Sequence, residues 1–318
     1  MSFQSNTRAH AAASGKALGL IRYKLKYLKE CRSATFTKLF TSYVCPITDY
    51  GAGVWGAKPF EQFEQIQRKA ARYFLGVHKF TPLDVLQGDL GWNSCHTRHK
   101  LCVLRQWNRL VTLPATRLTS KIFLWDISYH AQNSTWSHDL LDILQSIQMQ
   151  DCFTNLTQCD LEKAYQSMNK IESDKWNNSR YQKPKLRYYN MFKSDLSQEE
   201  YTSFNIPKYK RSIFAQFRAG ILPLQVKVGR YRNSPLEDRK CTLCDLDAVE
   251  DEFHLLCICP LYQCNRQRLF DSATQMDNSF ALLDNLDKFV MLVSNMQKQV
   301  IIFLDAALNT RRSHLYAS

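Results

Sequence analysis

Cys241-Thr-Leu-Cys244, followed by His254 and Cys259, gives the spacing C-x2-C-x9-H-x4-C. Three thiols and one imidazole in this order are a ligand set for tetrahedral Zn²⁺. The first pair is expected on a tight turn, so that its two thiolates can face one ion. Because the ion binds deprotonated sulfur and neutral imidazole, it supplies folding free energy to a segment too polar to fold alone. Four protein ligands leave no open position for water, so we expect a structural rather than a catalytic Zn²⁺.

The fourth ligand has two candidates. The segment Glu250–Cys259 is expected to form about two helical turns that stop at Pro260. His254 and Cys257 would then share a helix face at i,i+3, which makes Cys257 an alternative to Cys259. We prefer Cys259, so the predicted metal ligands are Cys241, Cys244, His254 and Cys259.

Composition favours an intracellular protein with a substantial core. The chain has 318 residues, 45% of them hydrophobic, and only ten glycines and nine prolines. This length allows two domains, and the shortage of turn residues argues against a β-sandwich. Eleven cysteines without a secretory signal peptide indicate a reducing compartment, nuclear or cytoplasmic, and no disulfide framework. No run of about eighteen apolar residues is present, so we expect no membrane span.

The positive charge is concentrated in two blocks. Of the net charge of +13, residues 1–80 contribute 13 Lys and Arg against 4 Asp and Glu, and residues 201–240 contribute 9 against 2. Such blocks indicate a polyanionic partner, most plausibly nucleic acid, because each phosphate contact releases condensed counterions. The alternative is a solvated cationic surface. The basic N-terminus, which has no acidic residue before Glu30, also fits an organelle transit peptide or the start of a helix from a longer parent.

Hydrophobic residues recur at helical spacing along most of the chain, which predicts a mainly α protein. The pattern predicts helices over residues 7–30, 36–44, 60–75, 81–86 and 93–111, and a long amphipathic helix over 284–308. We therefore divide the chain into a helical domain at 1–112, a helical connector with loops at 113–200, and a third part at 201–318. The last part holds a basic segment, the metal-binding segment and the C-terminal helices.

Several short motifs follow one another closely in the last part. They are Phe217-Arg-Ala-Gly-Ile-Leu-Pro-Leu, Gly229-Arg-Tyr, Arg239-Lys-Cys-Thr-Leu-Cys244, Val249-Glu-Asp-Glu-Phe-His-Leu-Leu256 and Cys259-Pro-Leu-Tyr262. Their order resembles the C-terminal zinc-knuckle region of non-LTR (LINE-type) retrotransposon reverse transcriptases. The resemblance also favours Cys259 as the fourth ligand.

The N-terminal part resembles the same polyproteins. Leu39–Trp55 is similar to the segment that follows the polymerase palm, and Ile66–Gly76 and Gly88–Trp92 are similar to the thumb and its neighbouring helices. The resemblance extends over residues 8–112 and 201–270. It implies a thumb-like helical domain, a helical connector, and a small CCHC zinc-stabilised C-terminal domain with a long terminal helix.

The chain departs from the family where the chemistry would be. The family's polymerase uses an aromatic-x-Asp-Asp motif whose carboxylates hold two metal ions, and this chain has no adjacent Asp-Asp. It also lacks the endonuclease of many such elements. We interpret Asp49, Asp84 and Asp89 as cap or turn residues. We expect no polymerase activity from the chain alone, and a separate palm-containing chain would be needed to complete the enzyme. We expect the chain to be a 5′-truncated element, or the product of a gene model that covers only the last part of one.

Basic residues in both blocks are the candidate contacts to RNA or DNA. We expect this binding to depend little on the nucleotide sequence. They are Arg22, Lys24, Lys26, Arg68, Lys69, Arg72, Lys208, Lys210, Arg211, Arg218, Lys227, Arg230 and Arg232, together with Tyr231. Aromatic rings among cations can stack bases, and Tyr209 and Tyr231 are the better candidates, whereas Phe214 and Phe217 are expected in the core. The zinc segment is acidic at Asp245, Asp247, Glu250, Asp251 and Glu252, so we expect it to organise the domain rather than to touch phosphate.

Two other interpretations remain open from the sequence. The chain could be a zinc-stabilised protein-interaction module that uses the helix at 284–308 as its partner surface. It could also be a non-functional retroelement relic. Steep salt dependence of RNA or DNA binding would favour the nucleic-acid interpretation over a partner-specific interaction module.

Overall fold

Helices account for nearly all of the regular structure in the computed structural model, which describes residues 3–28, 30–129 and 135–316. In these ranges there is no strand, and β pairing is limited to three isolated bridges. The prediction of a mainly α protein is confirmed. No single helix in the described part is long and apolar enough to cross a membrane. The helix pair at Asn285–Asn295 and Gln297–Leu315 reaches that length and apolarity only when the two helices are taken together, and it is sharply bent.

The helices are numbered along the chain. The first nine are α1 (Gln4–Leu25), α2 (Ser33–Tyr43), α3 (Cys45–Thr48), α4 (Ala52–Trp55), α5 (Glu61–Leu75), α6 (Leu83–Leu90), α7 (Cys95–Leu110), α8 (Leu118–Ser128) and α9 (Trp136–Ser146). The others are α10 (Asp151–Thr154), α11 (Leu161–Tyr181), α12 (Tyr189–Phe192), α13 (Lys208–Arg218), α14 (Gln225–Tyr231), α15 (Gln263–Met276), α16 (Asn285–Asn295) and α17 (Gln297–Tyr316).

The chain forms two compact units, each assembled from segments that are distant in sequence. The first unit comprises residues 1–27, 36–70 and 92–176, and the second comprises 28–35, 71–91 and 177–318. These units do not coincide with the three predicted parts at 1–112, 113–200 and 201–318. In the second unit, for example, the guanidinium of Arg211 donates to the backbone carbonyls of Phe74 and Cys31.

The core of the first unit includes much of the predicted connector. Leu104 and Trp107 of α7 are fully buried together with Leu140 and Leu144 of α9. The indole N–H of Trp107 donates to the carbonyl oxygen of Thr157 at 2.9 Å. The connector was expected to be helical with loops, and its helices are packed parts of this core rather than a spacer.

The glycine-rich segment before α5 allows two helices to approach closely. Gly51 has a φ of 68°, which is favourable only for glycine, and it is the N-cap of α4. A Cβ on Gly56 would lie 2.9 Å from the Cβ of His99 on α7. The three glycines of Asp49–Gly56 thus provide both a turn and a tight helix contact.

The predicted long terminal helix is two helices. Helices α16 and α17 meet at Met296 with a bend of 108°. At the bend, the Gln297 side chain accepts from the backbone N–H of Tyr201 and donates to the carboxylate of Glu199. The apolar stripe is buried on both sides of the bend, at Phe289, Leu292, Met296, Val300, Phe303, Leu304 and Ala307. The stripe is therefore part of the core, so it is not available as the partner surface of an interaction module.

An ion pair lies at the centre of the second unit. The side chains of Asp89 and Arg218 are fully buried, with 3.0 Å between Asp89 Oδ1 and Arg218 Nη2. Arg218 also contacts the Glu199 carboxylate at 3.0 Å, and the hydroxyls of Tyr189 and Tyr201 donate to Asp89. Interpreting Asp89 as a cap or turn residue was wrong, because its carboxylate neutralises a buried arginine.

We expect Asp89→Ala to lower the free energy of unfolding by about 3–5 kcal/mol, because Arg218 would keep a buried charge without its main partner. Urea titration followed by circular dichroism measures this loss. The matched control is Asp271→Ala, which removes an exposed carboxylate of the same unit that accepts from Gln267 and should cost less than about 1 kcal/mol. Equal effects of the two substitutions would contradict this role for Asp89.

Candidate metal centre

Four predicted ligands converge in the second unit. Their ligand atoms, on Cys241, Cys244, His254 and Cys259, all lie within 4.8 Å of one another. The Sγ of Cys244 is 3.5 Å from Nε2 of His254. Cys244 is half-buried and the other three are buried. The arrangement could hold one metal ion.

A hairpin-like turn presents the first two ligands. The backbone N–H of Cys241 donates to the Ala248 carbonyl at 2.9 Å, and that of Glu250 donates to the Arg239 carbonyl at 2.9 Å. Lys240 and Val249 form an antiparallel bridge between these bonds. The two chain segments are thus paired, and Cys244 lies in the loop that they close.

A π-helical turn presents the other two ligands. The turn covers His254–Ile258, and the N–H of Cys259 donates to the His254 carbonyl at 2.8 Å. The expected helical turns before Pro260 are present over residues 252–258, but most of them form a π turn. The i,i+3 geometry of an α-helix, which made Cys257 an alternative, therefore does not apply. The i→i+5 bond joins His254 to Cys259 instead, whereas Cys257 is buried and lies outside the cluster.

Hydrogen bonds to neighbouring segments hold this turn at both ends. At its start, Oδ1 of Asp251 accepts from the backbone N–H of His254 at 2.8 Å. The other oxygen of Asp251 accepts from Arg187 and from the Tyr188 hydroxyl, each at 2.7 Å. At its end, the buried Arg266 guanidinium donates to the carbonyls of Leu256 and Cys259.

The hydrogen bond between Cys241 and Cys259 shifts the pKa values of the two thiols in opposite directions. A hydrogen bond with Cys259, together with burial, raises the pKa of Cys241 to about 12. The same hydrogen bond lowers the pKa of Cys259. A dication that binds both thiolates must therefore displace this proton. Nδ1 of His254 is buried and has no hydrogen-bond partner in the described chain, so the metal itself would have to fix the tautomer of the ring.

The acidic residues of this segment are mostly internal, which corrects the expectation of an acidic loop that repels phosphate. Glu250, Asp251 and Glu252 are buried. Glu250 pairs with Arg311 and accepts from the backbone N–H of Gln225. Asp245 and Asp247 are exposed, and Asp247 pairs with Lys240. The buried carboxylates hold the segment in place rather than charging its surface.

The candidate nucleic-acid contacts differ in exposure. The exposed ones are Arg22, Lys24, Lys26, Lys69, Lys208, Tyr231 and Arg232, and the half-buried ones are Arg68, Arg72, Lys210, Lys227 and Arg230. Two of these cations have carboxylate partners, because Arg68 pairs with Glu61 and Lys210 with Asp305. Tyr209 and Tyr231 are 55% and 73% exposed, so both rings are available for stacking.

Two of the candidate contacts are wrong. Arg211 and Arg218 are each 2% exposed, so their guanidinium groups cannot reach a phosphate. Helical spacing was the signal that could have excluded them. Residues 211, 214, 215 and 218 follow the i, i+3, i+4, i+7 pattern of one helix face, and Phe214 and Phe217 are in the core as expected.

Replacing Cys259 by Ser should abolish tight zinc binding, because it removes a ligand from a closed shell. The loss of zinc affinity should exceed roughly 10–100-fold, which is the loss expected when a residue that only hydrogen-bonds to a metal ligand is removed. Cys257→Ser should keep the zinc, and the exposed Cys264 offers a neutral control in Cys264→Ser. Metal analysis of the purified variants by mass spectrometry checks this. Retention of zinc by Cys259→Ser and its loss from Cys257→Ser would reverse the assignment.

Comparison with known proteins gives no family assignment. No family model, no curated protein and no solved structure matches this chain. The candidate metal centre therefore depends on its donor atoms and their geometry alone.

Proposed function

We propose that this chain is a non-catalytic nucleic-acid-binding protein with one structural Zn²⁺ in its second unit. We propose further that it corresponds to the C-terminal part of a non-LTR retrotransposon reverse transcriptase. The observation that carries the proposal is the convergence of Cys241, Cys244, His254 and Cys259 within 4.8 Å. These four residues were selected from sequence spacing, and they come from two separate segments of backbone.

The donor set favours zinc over other divalent metals. Three thiolates and one imidazole suit Zn²⁺, whereas Mg²⁺ and Ca²⁺ prefer oxygen ligands. All four positions of a tetrahedron would be filled by protein, which leaves no site for a reactive water. Bound there, the ion would join the hairpin-like turn at Cys241 and Cys244 to the π turn at His254 and Cys259.

The distribution of exposed cations supports nucleic acid as the partner. Arg22 and Lys24 lie in the last turn of α1 and Lys26 is its C-cap, so three cations emerge from one helix end. In the second unit, Lys208 and Arg232 are exposed near the exposed rings of Tyr209 and Tyr231. Cations bind the backbone phosphates and rings stack on bases, so such contacts give affinity with little sequence readout. Either RNA or DNA fits this chemistry.

The absence of an adjacent Asp-Asp pair in the sequence supports a non-catalytic role. Polymerase chemistry needs carboxylates free to bind two metal ions. The Asp84 carboxylate pairs with Lys183, and that of Asp89 pairs with Arg218. We propose that a palm-containing chain, where the activity is needed, is a separate partner, and that the protein acts in a reducing intracellular compartment, nuclear or cytoplasmic.

The affinity of the chain for single-stranded RNA should fall steeply as salt concentration rises, since each phosphate contact adds about 0.7 to the slope of log K against log salt. A variant with Arg22→Gln, Lys24→Gln and Lys26→Gln should lose up to about 2 from that slope. Fluorescence anisotropy of a labelled oligonucleotide over a range of salt concentrations measures both quantities.

The matched control removes the same charge from other exposed lysines of the first unit, with Lys121→Gln, Lys163→Gln and Lys170→Gln. Relative to the unsubstituted chain, the slope of log K against log salt should change less in this control than in the variant at Arg22, Lys24 and Lys26. Binding that does not depend on salt in the unsubstituted chain would reject the nucleic-acid proposal.

A further inference from the structure

Two lysines from separate segments lie beside Gly220 in the second unit, and an arginine lies one helical turn from the second of them. Lys185 belongs to the turn after α11, while Lys227 and Arg230 are three residues apart on α14. A Cβ on Gly220 would lie 2.8 Å from the carbonyl oxygen of Lys185 and 3.5 Å from its Cγ, so the Lys185 side chain begins directly over this glycine. The ammonium of Lys227 donates to the carbonyl of the next residue, Ile221, at 2.8 Å.

Lys185, Lys227 and Arg230 form no close ion pair with a described carboxylate, although the Glu252 carboxylate attracts Arg230 at longer range. Lys185 and Arg230 make no side-chain hydrogen bond or ion pair with any residue that the structure describes. Burial, together with repulsion from Arg230 and Lys227, lowers the pKa of Lys185. Burial and the nearby Arg239 guanidinium likewise lower the pKa of Arg230. The three half-buried cations therefore repel one another.

Most other half-buried or buried cations of the same unit have acceptors within the protein. Arg180, Arg211, Arg239 and Arg266 donate to backbone carbonyls, and five others pair with carboxylates. The pairs are Lys183 with Asp84, Arg187 with Asp251, Lys193 with Glu199, Arg218 with Asp89 and Arg311 with Glu250. The nearest carboxylate to the three cations is that of Glu252, whose Oε1 lies 3.8 Å from the Cβ position of Gly220. Glu252 is buried, and this oxygen accepts no hydrogen bond from the described residues. Lys185 and Arg230, by contrast, have no such acceptor among the described residues, and an external anion can supply it.

We propose that Lys185, Lys227 and Arg230 form a phosphate-binding site. The position of both lysines beside Gly220, with Arg230 one helical turn away, and the absence of a close ion pair to any of them carry the proposal. Three cations can bind the oxygens of one phosphate with charge-assisted hydrogen bonds. Tyr231, which is 73% exposed, and the exposed Arg232 follow Arg230 directly, so a base next to the bound phosphate would meet an aromatic ring. The occupant is a backbone phosphate of nucleic acid, and this identification rests on the proposed function.

The test compares Lys185→Gln with Lys298→Gln, which removes the same charge from an exposed lysine of the same unit. We expect Lys185→Gln to bind single-stranded RNA about tenfold more weakly, as for the loss of one hydrogen bond to a charged group. Its salt slope should fall by about 0.7. Lys298→Gln should leave both unchanged. Arg230→Gln provides a second, independent variant that should weaken binding to a similar extent.

Thermal unfolding separates a binding role from a structural one. Removing one of several like charges relieves repulsion, so Lys185→Gln should melt no earlier than the unsubstituted chain in phosphate-free buffer. Inorganic phosphate at constant ionic strength should raise the melting temperature of the unsubstituted chain and of Lys298→Gln, and this increase should be smaller in Lys185→Gln.

The outcomes distinguish this site from the proposed function. Salt-dependent RNA binding that is the same in Lys185→Gln and Lys298→Gln would overturn the site and leave the function standing. In a second outcome, inorganic phosphate stabilises the unsubstituted chain, Lys185→Gln abolishes this stabilisation, and the unsubstituted chain does not bind RNA. This outcome would support the site, with a free anion as its ligand, and would reject the proposed function. Absence of both RNA binding and phosphate stabilisation would reject both.

Discussion

The buried carboxylate of Glu250 connects the parts of the second unit that carry chemistry. Both of its oxygens accept from Arg311 of α17, and Oε2 also accepts from the backbone N–H of Gln225 at the start of α14. Its backbone carbonyl accepts from Val226, and its N–H donates to the carbonyl of Arg239 beside the first metal ligand. Removing either charge of the Glu250–Arg311 pair would leave the other buried without compensation, at a cost of about 3–5 kcal/mol. The metal-binding segment and α14 therefore depend on one carboxylate.

The sequence was sufficient to group the four residues that could hold a metal ion but not to give their local geometry. Spacing alone grouped Cys241, Cys244 and His254, because thiols and an imidazole at these separations have few other reasons to occur together. The choice between Cys257 and Cys259 depended on whether the backbone formed an α turn or a π turn. That difference comes from tertiary contacts such as those of Arg266 with the carbonyls of Leu256 and Cys259. No local propensity predicts it.

Charge was the less reliable guide, because a count of basic residues does not distinguish surface cations from buried ones. Arg218 was assigned to a phosphate and instead neutralises Asp89, a residue 129 positions earlier in the chain. Lys185 was not assigned at all, since it lies in a polar stretch of the predicted connector. Long-range pairing decides which cations are neutralised, and single-sequence patterns hold little information on such pairs. Hydrophobic periodicity was more dependable, as Phe214 and the stripe on α16 and α17 show.

The proposed zinc and phosphate sites are joined by a short physical connection. Arg239 precedes Cys241 by two positions, and its guanidinium donates to the carbonyls of Val226 and Ser234 at either end of α14. Its side chain lies against Gly229, where a Cβ would come within 2.5 Å of Arg239 Cγ. An ion that orders the turn at Cys241 would also fix Arg239 and, through it, the end of α14 that carries Arg230. Because coupling between two ligands is reciprocal, zinc would then strengthen the binding of phosphate, and phosphate would strengthen the binding of zinc by the same factor.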